Sequence, residues 1–183
     1  MTMQRELQQQ IADVYRANHD RIASLVRRLS TERLTSSAAP GTWSVGQVLE
    51  HLTRIDELYL RVTEPLIREG TTDAAAPSRS WTPTFLGNLI AGSLRRPRPL
   101  RAPKRALPLT TRRDVGEAFL ALDGRFTEML ANAGSLDWNA IRLRTPLLPW
   151  LPLKMNLGDV FEIRRVHVTR HLGQMERCVA QTA

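Results

Sequence analysis

A single cysteine, Cys178, in 183 residues rules out an internal disulfide framework and fits a reducing compartment. Lysine is almost as scarce. Only Lys104 and Lys154 stand among 26 basic residues, so the net charge of +8 is carried by arginine. Such a bias implies a general attraction to polyanions and says nothing about fold. No run approaches the roughly 20 uninterrupted apolar residues that a membrane span needs. The N-terminal "MTMQRELQQQIADVY" lacks the continuous apolar stretch of a signal peptide. These absences predict a cytoplasmic protein with no membrane association. Nothing reads as a strand and no internal repeat is present, which argues against sheet and solenoid architectures.

What remains is helical periodicity. A first helix over about residues 3–30 aligns Leu7, Ile11, Val14, Ile22, Leu25 and Leu29. A second follows "TWSVGQ", where Ser44 and Gln47 form a capping box, and runs to about Glu69 with Pro65 disturbing its last turn. A third, capped at Thr111, carries Val115, Phe119, Leu122, Phe126, Met129 and Leu130 to about residue 133. The fourth starts at "NLGD", with Asn156 as cap, and carries Val160, Ile163, His167, His171, Met175 and Val179. Four long amphipathic helices predict an all-α four-helix bundle forming a single domain over residues 1–183.

Residues 31–43 and 134–155 read as loops of moderate length. Residues 70–110 are too many for a plain turn and form an insertion between the second and third helices. It is expected to hold a short helix at "TFLGNLIAGSL" and then a proline-broken basic tract, "RRPRPLRAPKRALPL". A connection this long lets the second and third helices run parallel, in an up-down-down-up bundle. Within residues 79–113, clustered arginine suits a nucleic-acid or membrane-surface arm, or a solvated loop. No aromatic residue interleaves the cluster and no nucleic-acid-binding pattern accompanies it, so the solvated loop is favoured and a nucleic-acid partner is not expected.

His167 and His171 are four residues apart and so share one helical face, in the middle of an apolar stripe. Two buried imidazoles need partners for their polar nitrogens. Hydrogen bonding within the core is one solution and a shared metal ion is another. His51, on the flank of the second helix's apolar arc, offers a third nitrogen. Three inward histidines would leave coordination positions open, as catalytic zinc sites do. His19, at the edge of its stripe, reads as structural.

The segments "PGTWSVGQVLEHLTRID" and "TPLLPWLPLKMNLGDVFEIRRVHVTRHLGQMER" resemble the DinB/YfiT-like superfamily in its proline/tryptophan entry to the second helix, its apolar loop and its closing His-x-x-x-His-x-x-Gln signature. The resemblance covers roughly residues 5–180 and leaves 70–110 unmatched. It implies a metal triad of His51, His167 and His171, a bundle with parallel second and third helices, and pairing as a homodimer. Imidazole suits several divalent transition metals, with zinc or nickel favoured over iron or manganese. The chain departs from the family at Arg170, where many members have another histidine, and at Leu172, where many have arginine.

Several further residues carry two readings. Arg164, one turn before His167, is either an anion clamp beside the metal or the partner of Glu50, Asp56 or Glu57. Gln174 either orients His171 or His167 from behind or takes part in ordinary polar packing of the bundle. Cys178, seven residues from His171, is too distant to ligate the same ion and reads as a small buried hydrophobe. Trp43 reads as an end-plug for the bundle, and "TPLLPWLPL" as a roof over the core. The resemblance implies a metal-dependent hydrolase or a thiol-dependent S-transferase acting on a small molecule, the latter with a low-molecular-weight thiol. The rival readings are a metal- or ligand-binding stress protein without turnover and, less favoured, a nucleic-acid binder.

Overall fold

In the computed structural model, which describes residues 2–97, 99–109 and 114–182, the helix-forming signals act where the sequence places them. The Ser44 hydroxyl accepts from Gln47 N at 3.2 Å while Gln47 Oε1 accepts from Ser44 N at 3.0 Å. This reciprocal cap satisfies two otherwise orphaned amides, and helix α3, Val45–Arg68, begins there. It continues one turn past Pro65. The other long helices are α1, Gln4–Arg28; α5, Val115–Asn132; and α6, Leu157–Thr182. Thr111, expected to cap the third long helix, lies outside the described residues.

Two shorter helices complete the set. Helix α2, Thr31–Thr35, is capped by Ser30 in a stretch the sequence suggests is loop. Helix α4, Phe85–Arg95, fulfils the short helix expected in the insertion, with Thr84 as its cap. The sequence reading finds no strand, and here the structure differs. Antiparallel strands β1, Arg142–Arg144, and β2, Lys154–Asn156, pair Leu143 with Met155. Strands of three residues are too short to register as a period in sequence, and their inward residues, Leu143 and Met155, are both buried.

The four long helices share two apolar clusters. One joins Leu7, Ile11 and Tyr15 of α1 to Tyr59, Phe126, Leu130 and Phe161. The other joins Ile22, Leu49, Leu52, Phe119, Val168, Leu172 and Cys178. Phe119 and Phe126 are at most 1% exposed, and truncating either to alanine costs about 3–5 kcal/mol in such a setting. Cys178 is buried in this packing, as the sequence indicates.

Asp159 fixes the insertion to the bundle. Its carboxylate accepts from Thr84 N at 3.2 Å and Thr84 Oγ1 at 2.7 Å, and from Asn156 N at 2.9 Å. In return, Asn156 Oδ1 accepts from Asp159 N at 2.9 Å, capping α6 as expected. The approach of α4 is so close that a Cβ at Gly87 would lie 2.1 Å from Asp159 Cγ. Beyond α4 the basic tract is not a freely solvated loop. Arg170 Nη1 donates to Leu94 O at 2.9 Å and Arg96 O at 2.7 Å, holding its start. Arg54 donates to Arg105 O at 3.1–3.2 Å, holding its end. There a 3-10 turn, Lys104–Ala106, buries Ala106 completely while its two basic side chains stay in solvent. The tract is a strap laid across the bundle.

The apolar loop between the strands roofs the core only in part. Leu147 and Leu151 pack against it, whereas Leu148, Trp150 and Leu153 face solvent. Among the described residues, no helix is long and apolar enough to cross a membrane.

Candidate metal centre

Helix α6 presents His167 and His171 from adjacent turns of one face, and α3 presents His51 opposite them. All three are at most 8% exposed. One ligand nitrogen from each lies within 4.8 Å of the others, the only such group of three among the described residues. His51 Nε2 stands 3.3 Å from His167 Nε2. Ring centroids are 5.2 Å apart for His51 and His167, 4.9 Å for His51 and His171, and 4.6 Å for His167 and His171.

Hydrogen bonds outside the cluster decide which nitrogens remain open. His51 Nδ1 lies 2.6 Å from Ala106 O, and a carbonyl can only accept, so the proton of neutral His51 sits on Nδ1. By the same logic His171 donates from Nδ1 to Gln174 Oε1 at 2.9 Å. Both rings therefore keep Nε2 unprotonated, with its lone pair available to a ligand. A proton on His167 Nε2 could bridge to His51 but would not engage His171. One cation would satisfy all three.

Protonation offers no escape. Burial, reinforced by the neighbouring imidazoles, holds His167 well below the ordinary histidine range. Burial and then His51 lower His171 to about 3. Burial lowers His51 as well, with the Ala106 carbonyl pulling weakly the other way. Neutral imidazoles are the form that binds metal. Spacing agrees: two nitrogens ~2.0–2.1 Å from one tetrahedral ion stand about 3.3 Å apart. The His51–His167 separation matches this value. The residues present thus fit a metal ion held by one nitrogen of each ring.

Around the cluster, the Trp43 ring lies 4.9 Å from that of His51, extending its expected role as an end-plug. Gln174 occupies the supporting position behind His171. Arg164, offered by sequence as clamp or ion-pair partner, is 4% exposed and bound to carboxylates of the bundle itself. It donates to Asp56 Oδ2 through Nε and Nη2 at 3.1 and 2.9 Å, and to Asp123 Oδ1 at 2.7 Å. The Tyr15 and Phe126 rings sandwich its guanidinium at 4.6 and 4.3 Å. Burial raises Asp56 above the usual carboxylate range while the Arg164 guanidinium pulls it back down. Asp123 also accepts from His19 Nδ1 at 2.7 Å, giving His19 a structural place.

Three participants escape the sequence reading. Asp123 does carry a signal, since it shares a helical face with Phe119, Phe126 and Leu130. Arg170 is visible only as a departure from the family pattern. Ala106 acts through a backbone oxygen, which no side chain announces.

Three buried imidazoles, carried on a mostly helical scaffold, define a protein with a histidine cluster able to hold a metal ion. The chain belongs to the DinB superfamily, whose sequence profile matches residues 15–175. Comparison with curated proteins gives no match, and neither does comparison with solved structures.

Proposed function

We propose that His51, His167 and His171 hold one divalent transition metal, zinc or nickel by preference, and that the protein is a metal-dependent enzyme. The observation that carries this reading is the convergence of three ligand nitrogens, one from each of three buried histidines, within 4.8 Å of one another. A metal in such a site lowers the pKa of a bound water or thiol and polarises a carbonyl oxygen.

Each residue's contribution follows from its contacts. Ala106 O and Gln174 Oε1 fix the tautomers of His51 and His171 and aim their Nε2 atoms. The Trp43 ring packs at a tilt against that of His51, 4.9 Å away, and helps to hold it in place. Of the two acidic candidates, Glu162 on α6 is engaged by Arg95 and by Arg165 at 2.6–2.7 Å, so it is not available to remove a proton, and Glu50, directly before His51 on α3, lies about 100° around the helix from it. Thiol-dependent S-transfer accommodates this better than hydrolysis, because a thiol ionised at a metal needs no protein base. The substrate would be a small electrophile and the co-substrate a low-molecular-weight thiol. Incubation with a thiol and an electrophilic bimane tests this choice. Thiol conjugation that chelation abolishes supports the transferase; ester or amide hydrolysis without conjugation would select the hydrolase.

The same reading places α3 and α5 parallel. Arg125 Nη2 donates to Glu64 at 2.8 Å, Val45 and Val48 share a cluster with Val115 and Phe119, and an open groove lies between Ile67 and Asn132. It further takes the chain as one domain, pairing as a homodimer in the cytoplasm, which light scattering can test.

A further inference from the structure

Charge is divided unevenly along this chain. Two stretches, 74–113 and 138–158, hold 12 of the 26 basic residues and none of the 18 acidic ones. All 18 acidic residues therefore lie in the rest of the chain, with 14 basic ones.

Folding brings the two acid-free stretches together. Arg105 Nη1 donates to Pro146 O at 3.3 Å, and Trp81 Nε1 to Asn156 Oδ1 at 3.1 Å. On both the strap and the apolar loop, large apolar side chains stand in water. Trp150 is 75% exposed and Leu109 73%, with Leu107, Leu148 and Leu153 also exposed. Exposed cations accompany them, Arg101 and Lys104 on the strap and Arg144 and Lys154 on the strands. Isolated apolar residues are normal on a surface, but several large ones borne together with cations on two stretches that fold against each other mark an interaction site.

We propose that this face docks on an anionic lipid surface, with the arginines and lysines meeting the headgroups and Trp150 and the leucines entering the interfacial layer. Cations among tryptophan and aliphatic residues are the pattern of interfacial binding. A nucleic acid would meet the charges but leave the leucines in water. Neither 96–109 nor 142–154 contains an asparagine or glutamine to read base edges, and Trp150 alone makes no stacking series. A second copy packed two-fold through this face would set like charges against each other. Peripheral contact of this kind needs no membrane span, so it replaces the expectation of no membrane association. It is independent of whether the histidine cluster holds a metal.

Sedimentation of the full chain with phosphatidylcholine vesicles, with and without about a third phosphatidylglycerol, tests the proposal. Binding to the anionic vesicles should exceed that to neutral ones by about tenfold or more and be lost at high salt. Tryptophan emission should shift to the blue, since Trp138 is buried, Trp43 and Trp81 are partly so, and Trp150 is the one in water. The shift should vanish in Trp150→Ser, and binding should collapse in Lys104→Glu/Lys154→Glu. All three positions are exposed, so circular dichroism should be unchanged. Equal binding to both vesicles, no binding, or binding that survives the charge reversal overturns the proposal. Binding to duplex DNA with unshifted emission would assign the face to nucleic acid instead. Self-association lost in Trp150→Ser would assign it to a second copy.

Discussion

His51 donates its Nδ1 proton to the carbonyl oxygen of Ala106 over 2.6 Å, across 55 residues of sequence. The donor is a candidate metal ligand on α3 and the acceptor lies at the end of the basic strap. The insertion therefore belongs to the site: it sets the tautomer and the aim of one of the three histidines.

Metal affinity should accordingly depend on residues that touch no metal. Ala106 is fully buried, and leucine there would displace the turn that carries the carbonyl. Losing such an outer partner typically weakens metal binding about 10–100-fold. Ala106→Leu should fall in that range and Arg54→Ala toward its lower end, both read by competition with a chromogenic chelator. Unchanged affinity in both would detach the strap from the site.

Gln174→Leu removes the acceptor behind His171 while keeping the side chain's bulk. A loss of about tenfold in metal affinity is expected, with little change in thermal stability. Restoration by Gln174→Glu, which can also accept from Nδ1, would show that the hydrogen bond is responsible rather than the packing.

Arg164 should prove to be a stability residue. Arg164→Leu would leave Asp56 and Asp123 buried without their cation, and breaking a buried pair in this way costs about 3–5 kcal/mol. Urea unfolding should show that loss. If Arg164→Leu instead folds with wild-type stability and raises KM for an anionic substrate, the anion-clamp reading gains the residue.

The pH dependence of the chelated protein has a fixed sign. His171 titrates near 6.5 when unfolded but is lowered to about 3 by burial in the fold. The unfolded chain therefore takes up a proton first as pH falls, and stability drops from about 6.5 downward. By pH 5 this residue alone should account for about 2 kcal/mol relative to pH 7. Thermal melts across that window should show the drop, and His171→Leu should flatten it.

Much of this was open to sequence because it is periodic or local. The stripes of α1, α3, α5 and α6, the Ser44–Gln47 box and the Asn156 cap all depend on neighbours within a turn. The candidate ligands were also accessible, since His167 and His171 share a face by spacing alone. His51 joined them from its place on the flank of the second helix's apolar arc, and the family resemblance named the same three residues. What escaped depends on partners far away in the chain. Strands of three residues carry no usable alternation, α2 is one turn long, and the Ala106 carbonyl has no sequence signature. The exposure of Trp150 was hidden for a related reason, because an apolar loop can turn inward or outward with the same composition.

The most direct test is elemental analysis of the purified protein beside His167→Ala. The account predicts about one transition-metal ion per chain in the unmodified protein and almost none in the variant, with helical content preserved in both. A folded wild-type protein that takes up no metal even when it is supplied, or a variant that retains a full equivalent, would contradict it.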